Sequence, residues 1–490
     1  MPHTRLREAL PRARDIAWLG TVRALAGMAA YLSGFRALSD DEYARISIAQ
    51  RFAEAPSLDP SGTSWLPLPF WVYGSALRVF GTDLAVARAT AIALGITATL
   101  VVYVAARVLG GSRPGGLLAA ALSALVPYSA LLGIAAVPEV PCAALILLGA
   151  ATLAREEPEL RVVGGLALSA ACLSRYEAWP VAATFAVFSV WGARKHWQLA
   201  VGGAIALLGP ALWLFLGHAE HGDALFFVTR VASYRRALGP AAAGPLALRL
   251  LEYPGLLVRA EPELCGLLLA VLGVAWRVWD RDQLGAYRRA ALALAALLLF
   301  LIFGSVRDGV PTHHAARVLL PLWFFACAVC GHGLAQIMAR TSGRSRTALL
   351  AVAAAATLIG LLARPYLLPK EQFAERQLEL AAGREAKRRG VSRLAIDTID
   401  YGYLAVQAAF GSQTRSLALD DRDPRHPRRA DPFLSQAGIA RALRESGARF
   451  LVATSEHAAA VRPQCSELWQ NLGFGLFECP ASASTSAGPP

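Results

Sequence analysis

Apolar residues in this chain come in long runs separated by short Arg-rich stretches, and a membrane-span template is satisfied about eleven times along it. The runs predict helices at about 15–38, 84–107, 115–133, 138–154, 162–175, 177–193, 198–216, 260–277, 289–305, 317–337 and 347–367. Several are short for a bilayer. The first begins after a basic stretch, yet it is long and lacks a small-residue cleavage site, so it reads as a retained anchor. From about residue 370 the pattern changes. A charged helical stretch (372–389) is followed by a strand (392–397), a helix (401–410), a strand (416–419), a polar loop (420–431), a helix (438–446) and a strand (448–453). Alternation at that spacing predicts a small α/β domain. The end, 481–490, is made of Ala, Ser, Thr, Gly and Pro and reads as disordered. The expected architecture is therefore mainly α. A polytopic membrane helix bundle covers 1–369, a soluble extracytoplasmic α/β domain covers 370–480, and 481–490 is a tail.

Composition agrees with a membrane protein. Of 490 residues 55% are hydrophobic and 17% charged, too apolar for a pair of soluble domains. The formal net charge of +13 raises the question of nucleic acid. The arginines do not form one face with stacking aromatics, however, so no nucleic-acid partner is expected. They recur instead at every second connection: Arg5 to Arg14, Arg107 and Arg113, Arg155 and Arg161, Arg194 and Lys195, Arg277 to Arg289, and Arg340 to Arg346. Basic loops mark the cytoplasm, which puts the N-terminus inside and the C-terminal domain outside a cytoplasmic membrane. The opposite face then collects Asp40, Asp41 and Glu42, followed by Glu139, Arg175 with Glu177, the 217–261 loop with Asp223, and His313, His314 and Arg317. Acidic and His side chains held near hydrocarbon are costly, so their gathering on one face points to an extracytoplasmic site.

Asp40-Asp41-Glu42-Tyr43 is followed by an amphipathic stretch through Phe52 that suits the interface plane, then by the aromatic, Pro-rich Trp65 to Trp71. A solvated polar loop explains the acids equally well from residue type alone. Five cysteines lie within predicted spans and read as small packing residues. Cys465 and Cys479 are the only two in the tail, and in an exported domain they are a candidate disulfide. No cofactor is required by these residues. A divalent metal is left open, because the spacing of His218 and His221 suits one helical face while no third ligand stands beside them.

An acidic pair opening the first external loop, an interface helix, a W-x-P-x-P-like turn (Trp65 to Pro69) and a next span bearing Arg88 together resemble the GT-C superfamily of polyprenyl-phosphate-sugar-dependent glycosyltransferases. The protein O-mannosyltransferase and lipid A aminoarabinose transferase group is the most similar. Val137-Pro138-Glu139 sits where relatives carry an acid, and Ser174-Arg175-Tyr176-Glu177-Ala178-Trp179 resembles their R-x-E-x-W element. His221-Gly222-Asp223-Ala224 is similar to a G-D-P loop, with Ala224 in place of the Pro. Pro311 to Arg317 precedes a span where relatives hold the lipid phosphate. The resemblance spans about the first 370 residues as an architecture.

The resemblance implies an inverting transfer of a sugar from a polyprenyl-phosphate-linked donor to a lipid, protein or polysaccharide acceptor, with membrane lipids as surroundings. Such a reaction needs a base for the acceptor hydroxyl and positive charge for the leaving phosphate. Asp41 is the expected base, with Asp40 and Glu42 as alternatives in register. Arg317, with His313, His314 or Arg175, is expected on the phosphate, since a guanidinium donates two parallel hydrogen bonds to it. Glu139, Glu177 and Asp223 complete the expected substrate-binding set. Two other classes fit many spans with charges near the membrane: a transporter or flippase of a lipid-linked precursor, and a non-catalytic envelope-assembly subunit.

Overall fold

A computed structural model describes residues 8–192, 197–237, 245–275, 281–308, 314–340, 374–397, 400–419 and 431–480, with isolated positions between 348 and 363. Apolar helices dominate it. Four, Leu84–Val108, Gln198–His221, Gln283–Arg307 and Ala315–Ala339, are each long and apolar enough to cross a bilayer, and Glu139–Thr152, Ala178–Gly192 and Pro262–Gly273 are shorter apolar helices. The chain is a multi-pass membrane protein. One large core of Ala, Leu, Val and Phe side chains joins these helices. Small residues let them approach closely: a Cβ on Gly165 would meet the backbone carbonyl of Gly202, so Pro158–Cys172 and Gln198–His221 cross in near backbone contact.

Some polar groups inside the bundle find partners on neighbouring helices. Buried Arg23, on the first helix Ala13–Leu32, donates to the hydroxyl (2.9 Å) and carbonyl (2.7 Å) of Ser129.

The runs read from sequence recur as helices with shifted ends. The 115–133 run is split into Arg113–Leu125 and Pro127–Leu132, because Pro127 has no N–H to continue the ladder. The 289–305 run starts earlier, in the helix Arg281–Asp308. The expected 217–261 loop instead contains the helices Phe226–Ala237 and Leu246–Ala260. The second of these exposes Leu246, Leu248, Leu250, Leu251 and Val258, an apolar surface suited to lipid. Most of the 347–367 run, and the whole of 481–490, lie outside the described residues.

The C-terminal region forms a five-stranded sheet of order β2-β1-β3-β5-β4. Its strands are β1 Leu394–Ile396, β2 Ser416–Ala418, β3 Phe450–Thr454, β4 Ser466–Gln470 and β5 Phe474–Glu478. β1 pairs in parallel with β2 and β3, with Leu394 opposite both Ser416 and Phe450, while β5 runs antiparallel to β3 and β4. The period of two divides the side chains cleanly. Leu394, Ile396, Val452 and Leu476 face the helices Gln377–Arg388 and Tyr403–Phe410, whereas Ala395, Leu451, Ala453 and Phe477 face Gln436–Ser446 and Ser455–Val461. Sequence patterning missed the β4–β5 hairpin, whose β4 is mostly exposed. Cys465 and Cys479, at the open end of that hairpin, are disulfide-bonded.

This sheet domain does not hang free. Leu380, Ala405, Ala408 and Ala409 share a buried cluster with Tyr43, Ile46 and Ala49 of the helix Asp40–Glu54 and with Tyr73 and Leu77 of the helix Leu68–Phe80. The Gln50 amide adds a buried hydrogen bond to the Ala408 carbonyl at 2.8 Å.

Candidate functional site

The site is organised around the N-terminus of the helix Asp40–Glu54. Its acids occupy Asp40, Asp41 and Glu42, where carboxylates complement the free N–H groups and dipole of a helix start. Successive helical residues point about 100° apart, so the three side chains meet three different surroundings.

Glu42 points inward and is fully buried. It accepts hydrogen bonds from the backbone N–H of Leu38 (3.1 Å) and of Ala136 (3.0 Å), and it pairs with Arg88 at 2.5 Å. Both oxygens of this carboxylate are engaged by protein, so it ties the Asp40 helix to the Leu84–Val108 span. Asp40 points toward the C-terminal domain. There Arg376 clasps it with two bonds of 2.9 and 2.8 Å while also reaching Asp400 (2.8 Å) and Glu379 (3.1 Å). The hydrogen bonding it donates to Asp40, ahead of the opposing effect of burial, and the pairing with Asp400 hold Arg376 above the usual arginine range.

Asp41 differs from both. Its side chain is 51% exposed, and the ion pair it makes is a loose one with Arg317 at 3.9 Å. Arg317 lies on the 3-10 turn Ala315–Leu319 that leads into the helix Leu320–Arg340, and its Nε is 3.4 Å from Glu139. Glu139 is buried at the start of its own helix and also pairs with Arg175. Arg175 in turn grips Glu177 through two bonds, of 3.2 and 2.8 Å. Glu139 Oε2 is buried and makes no hydrogen bond. The sequence-predicted set thus converges: Asp41, Glu139, Arg175, Glu177 and Arg317 form one chain of opposed charges.

The remaining residues divide. His314 is buried in the left-handed backbone conformation immediately before the Arg317 turn, where its carbonyl accepts from the Arg317 N–H. His313 lies outside the described residues. Asp223 is exposed and caps the helix Phe226–Ala237 by accepting from the Leu225 N–H at 2.8 Å, so it does not join the cluster. His221 bonds Asp59 at 3.0 Å and stacks on Phe226, a strut for the 56–66 loop. No three His, Cys, Asp or Glu side chains converge as a metal site among the described residues.

Sequence reasoning missed two arginines. Arg45 stands one helical turn after Asp41, an i, i+4 spacing that would have flagged it. Its guanidinium lies over the Trp65 ring, 4.4 Å from the centroid, and its Nε is buried without a hydrogen-bond partner. Burial pulls it down to about 10, against the attraction of Glu139 and Asp41. It is charged at neutral pH but poorly solvated, which suits it to an incoming anion. The loop that carries Trp65 is held by Tyr176, whose hydroxyl donates to the Ser64 carbonyl at 2.8 Å and accepts from Trp213 at 3.0 Å. Arg376 is the second, and no local pattern announces it.

Comparison with known proteins adds three findings. Residues 61–216 match the sequence family described as dolichyl-phosphate-mannose-protein mannosyltransferase. No curated protein matches the chain by sequence. Among solved structures, ArnT from Cupriavidus metallidurans bound to undecaprenyl phosphate is similar in fold, with a TM-score of 0.61 and 14% identity over 97% of this chain and 99% of that one.

Proposed function

We propose that this chain, which has the GT-C superfamily fold, is an inverting glycosyltransferase that moves a sugar from a polyprenyl-phosphate donor to an envelope acceptor on the extracytoplasmic face. The observation that carries the reading is the contrast within the acidic triplet: Glu42 and Asp40 are consumed by Arg88 and Arg376, whereas Asp41 keeps a half-exposed carboxylate beside Arg317. A base must be open to the proton it removes, and of the three only Asp41 meets that condition. The mannosyltransferase family match over 61–216 and the polyprenyl phosphate bound to the structural neighbour support the choice of donor class.

In this reading Asp41 takes the proton from the acceptor hydroxyl. The oxygen attacks the anomeric carbon from the face opposite the phosphate, the anomeric carbon–oxygen bond breaks, and the electron pair leaves on polyprenyl phosphate. Configuration inverts in one displacement. Arg45 and Arg317 supply the positive charge that the departing phosphate needs. Arg175 is neutralised by Glu139 and Glu177 and orients Glu139 instead of meeting the substrate.

The basic loops support a cytoplasmic membrane location with the N-terminus inside and the C-terminal domain exported. Transfer of a radiolabelled sugar from polyprenyl phosphate to an envelope extract by the purified protein tests the proposal. Sugar transfer that scales with enzyme supports it. Movement of the lipid-linked sugar across vesicles without transfer would instead identify a flippase, and neither activity would leave an assembly subunit.

A further inference from the structure

Two adjacent carboxylates open the Asp40–Glu54 helix, and a reaction that uses one of them as a base is sensitive to the charge on the other. Asp40 is not left to solvent. Its partner comes from a different domain, 336 residues away in sequence, and the contact is bidentate. Arg376 is 20% exposed and is itself fixed from the far side by Asp400 and Glu379. Three further contacts dock the same domain on the same helix and on the start of Leu84–Val108: Gln50 on the Ala408 carbonyl, Glu54 on Thr414 (2.5 Å) and Asp83 on Lys387 (2.5 Å). Simple adhesion would not need a bidentate arginine on the acid at the first position of the helix.

We propose that Arg376 is a positioning residue for Asp41, acting through Asp40: it offsets the Asp40 charge and fixes the start of the helix, so that of the two neighbouring carboxylates Asp41 is the one presented to the acceptor. The inference rests on the functional reading above and deepens it, because it gives the exported domain a role in the reaction. The charges facing each acid are these. Asp41 faces Arg317 from the 3-10 turn and Arg45 from its own helix, with Glu139 and Arg175 behind them. Asp40 faces Arg376, Glu379 and Asp400 from the exported domain, with Tyr43, Glu42 and Arg88 behind it. Removing Arg376 leaves Asp40 as an uncompensated negative charge one residue from Asp41. A like charge favours proton retention, so a base at Asp41 would lose activity at a higher pH.

The test is the pH–rate profile of sugar transfer by full-length enzyme. For Arg376→Gln the acidic limb of kcat/KM should move upward by about half to one and a half pH units, the range Coulomb's law gives for a charge roughly 8 Å away as the effective dielectric runs from that of water to that near a protein surface. Arg376→Lys, which keeps the charge, should leave the limb near its wild-type position. The pair Asp40→Asn with Arg376→Gln removes both charges and should bring the limb back, a rescue that a merely structural contact would not produce. An unmoved limb in Arg376→Gln, or a loss at all pH values that Asp40→Asn does not restore, would overturn the proposal. Wild-type protein that transfers no sugar, or an Asp41→Asn variant as active as wild type, would instead defeat the functional reading on which it rests.

Discussion

Three neighbouring carboxylates of the same chemistry end in three environments, and partners distant in sequence decide which does what. Glu42 receives a backbone N–H from Ala136, 94 residues on, while Asp40 receives Arg376 from 336 residues on. The sequence made the triplet visible as a candidate but left its register open, because nothing local separates three acids in a row. Glu42→Gln puts an amide where two backbone N–H groups and Arg88 need an acceptor anion. It should therefore destabilise the fold by about 2–3 kcal/mol, measured as a lower thermal midpoint in detergent. Transfer per folded molecule should suffer far less than with a change at Asp41. Arg45 was legible in principle from its spacing to Asp41. The burial of its Nε was not, since that depends on Trp65 folding back over it. Arg45→Gln should weaken donor binding by about tenfold, the worth of one charge-assisted hydrogen bond, seen as a raised KM for the lipid-linked sugar.

At the level of elements, the Asp40–Glu54 helix is held between the membrane bundle and the C-terminal domain, and its closest neighbour is the helix Leu68–Phe80. Gly74 makes that approach possible: a Cβ there would run into the Phe52 ring and come within 3.0 Å of the Ala49 carbonyl. Gly74→Val should push the two helices apart, costing about 1–3 kcal/mol and lowering transfer. A variant with unchanged stability and activity would mean the crossing is loose. The amphipathic pattern predicted the Asp40 helix, whose Ile46 and Ala49 pack in the shared cluster, but not the burial of its polar Ser47 and Gln50. The same reasoning failed on β4, which is mostly exposed and carries no alternation to read. The Cys465–Cys479 bridge clamps that hairpin, and a loop of its length contributes about 3 kcal/mol in the chain-entropy model. Peptide mapping without reductant should recover the two cysteines as one linked peptide from exported protein, and two free thiols would contradict it.

For the whole molecule, hydrophobic runs carried most of what the sequence disclosed. Spans are set by local composition, so they are readable. The docking of the C-terminal domain is set by non-local contacts such as Arg376 with Asp40 and Lys387 with Asp83, and no composition signals it. Sidedness is open to direct measurement: reporter fusions after Lys195 and Arg344 should behave as cytoplasmic, and fusions after Gly239 and Lys370 as exported. A cytoplasmic signal after Lys370 would put the domain that clasps Asp40 on the wrong side of the membrane. The claim on which the rest depends is that Asp41 is the base, and the most direct measurement is sugar transfer from polyprenyl phosphate by purified wild-type and Asp41→Asn protein of equal fold stability. Asn keeps the size of the side chain but cannot take the acceptor proton, so the expected result is a fall of about a hundredfold or more in kcat with donor binding retained. Transfer by Asp41→Asn at close to the wild-type rate would contradict it.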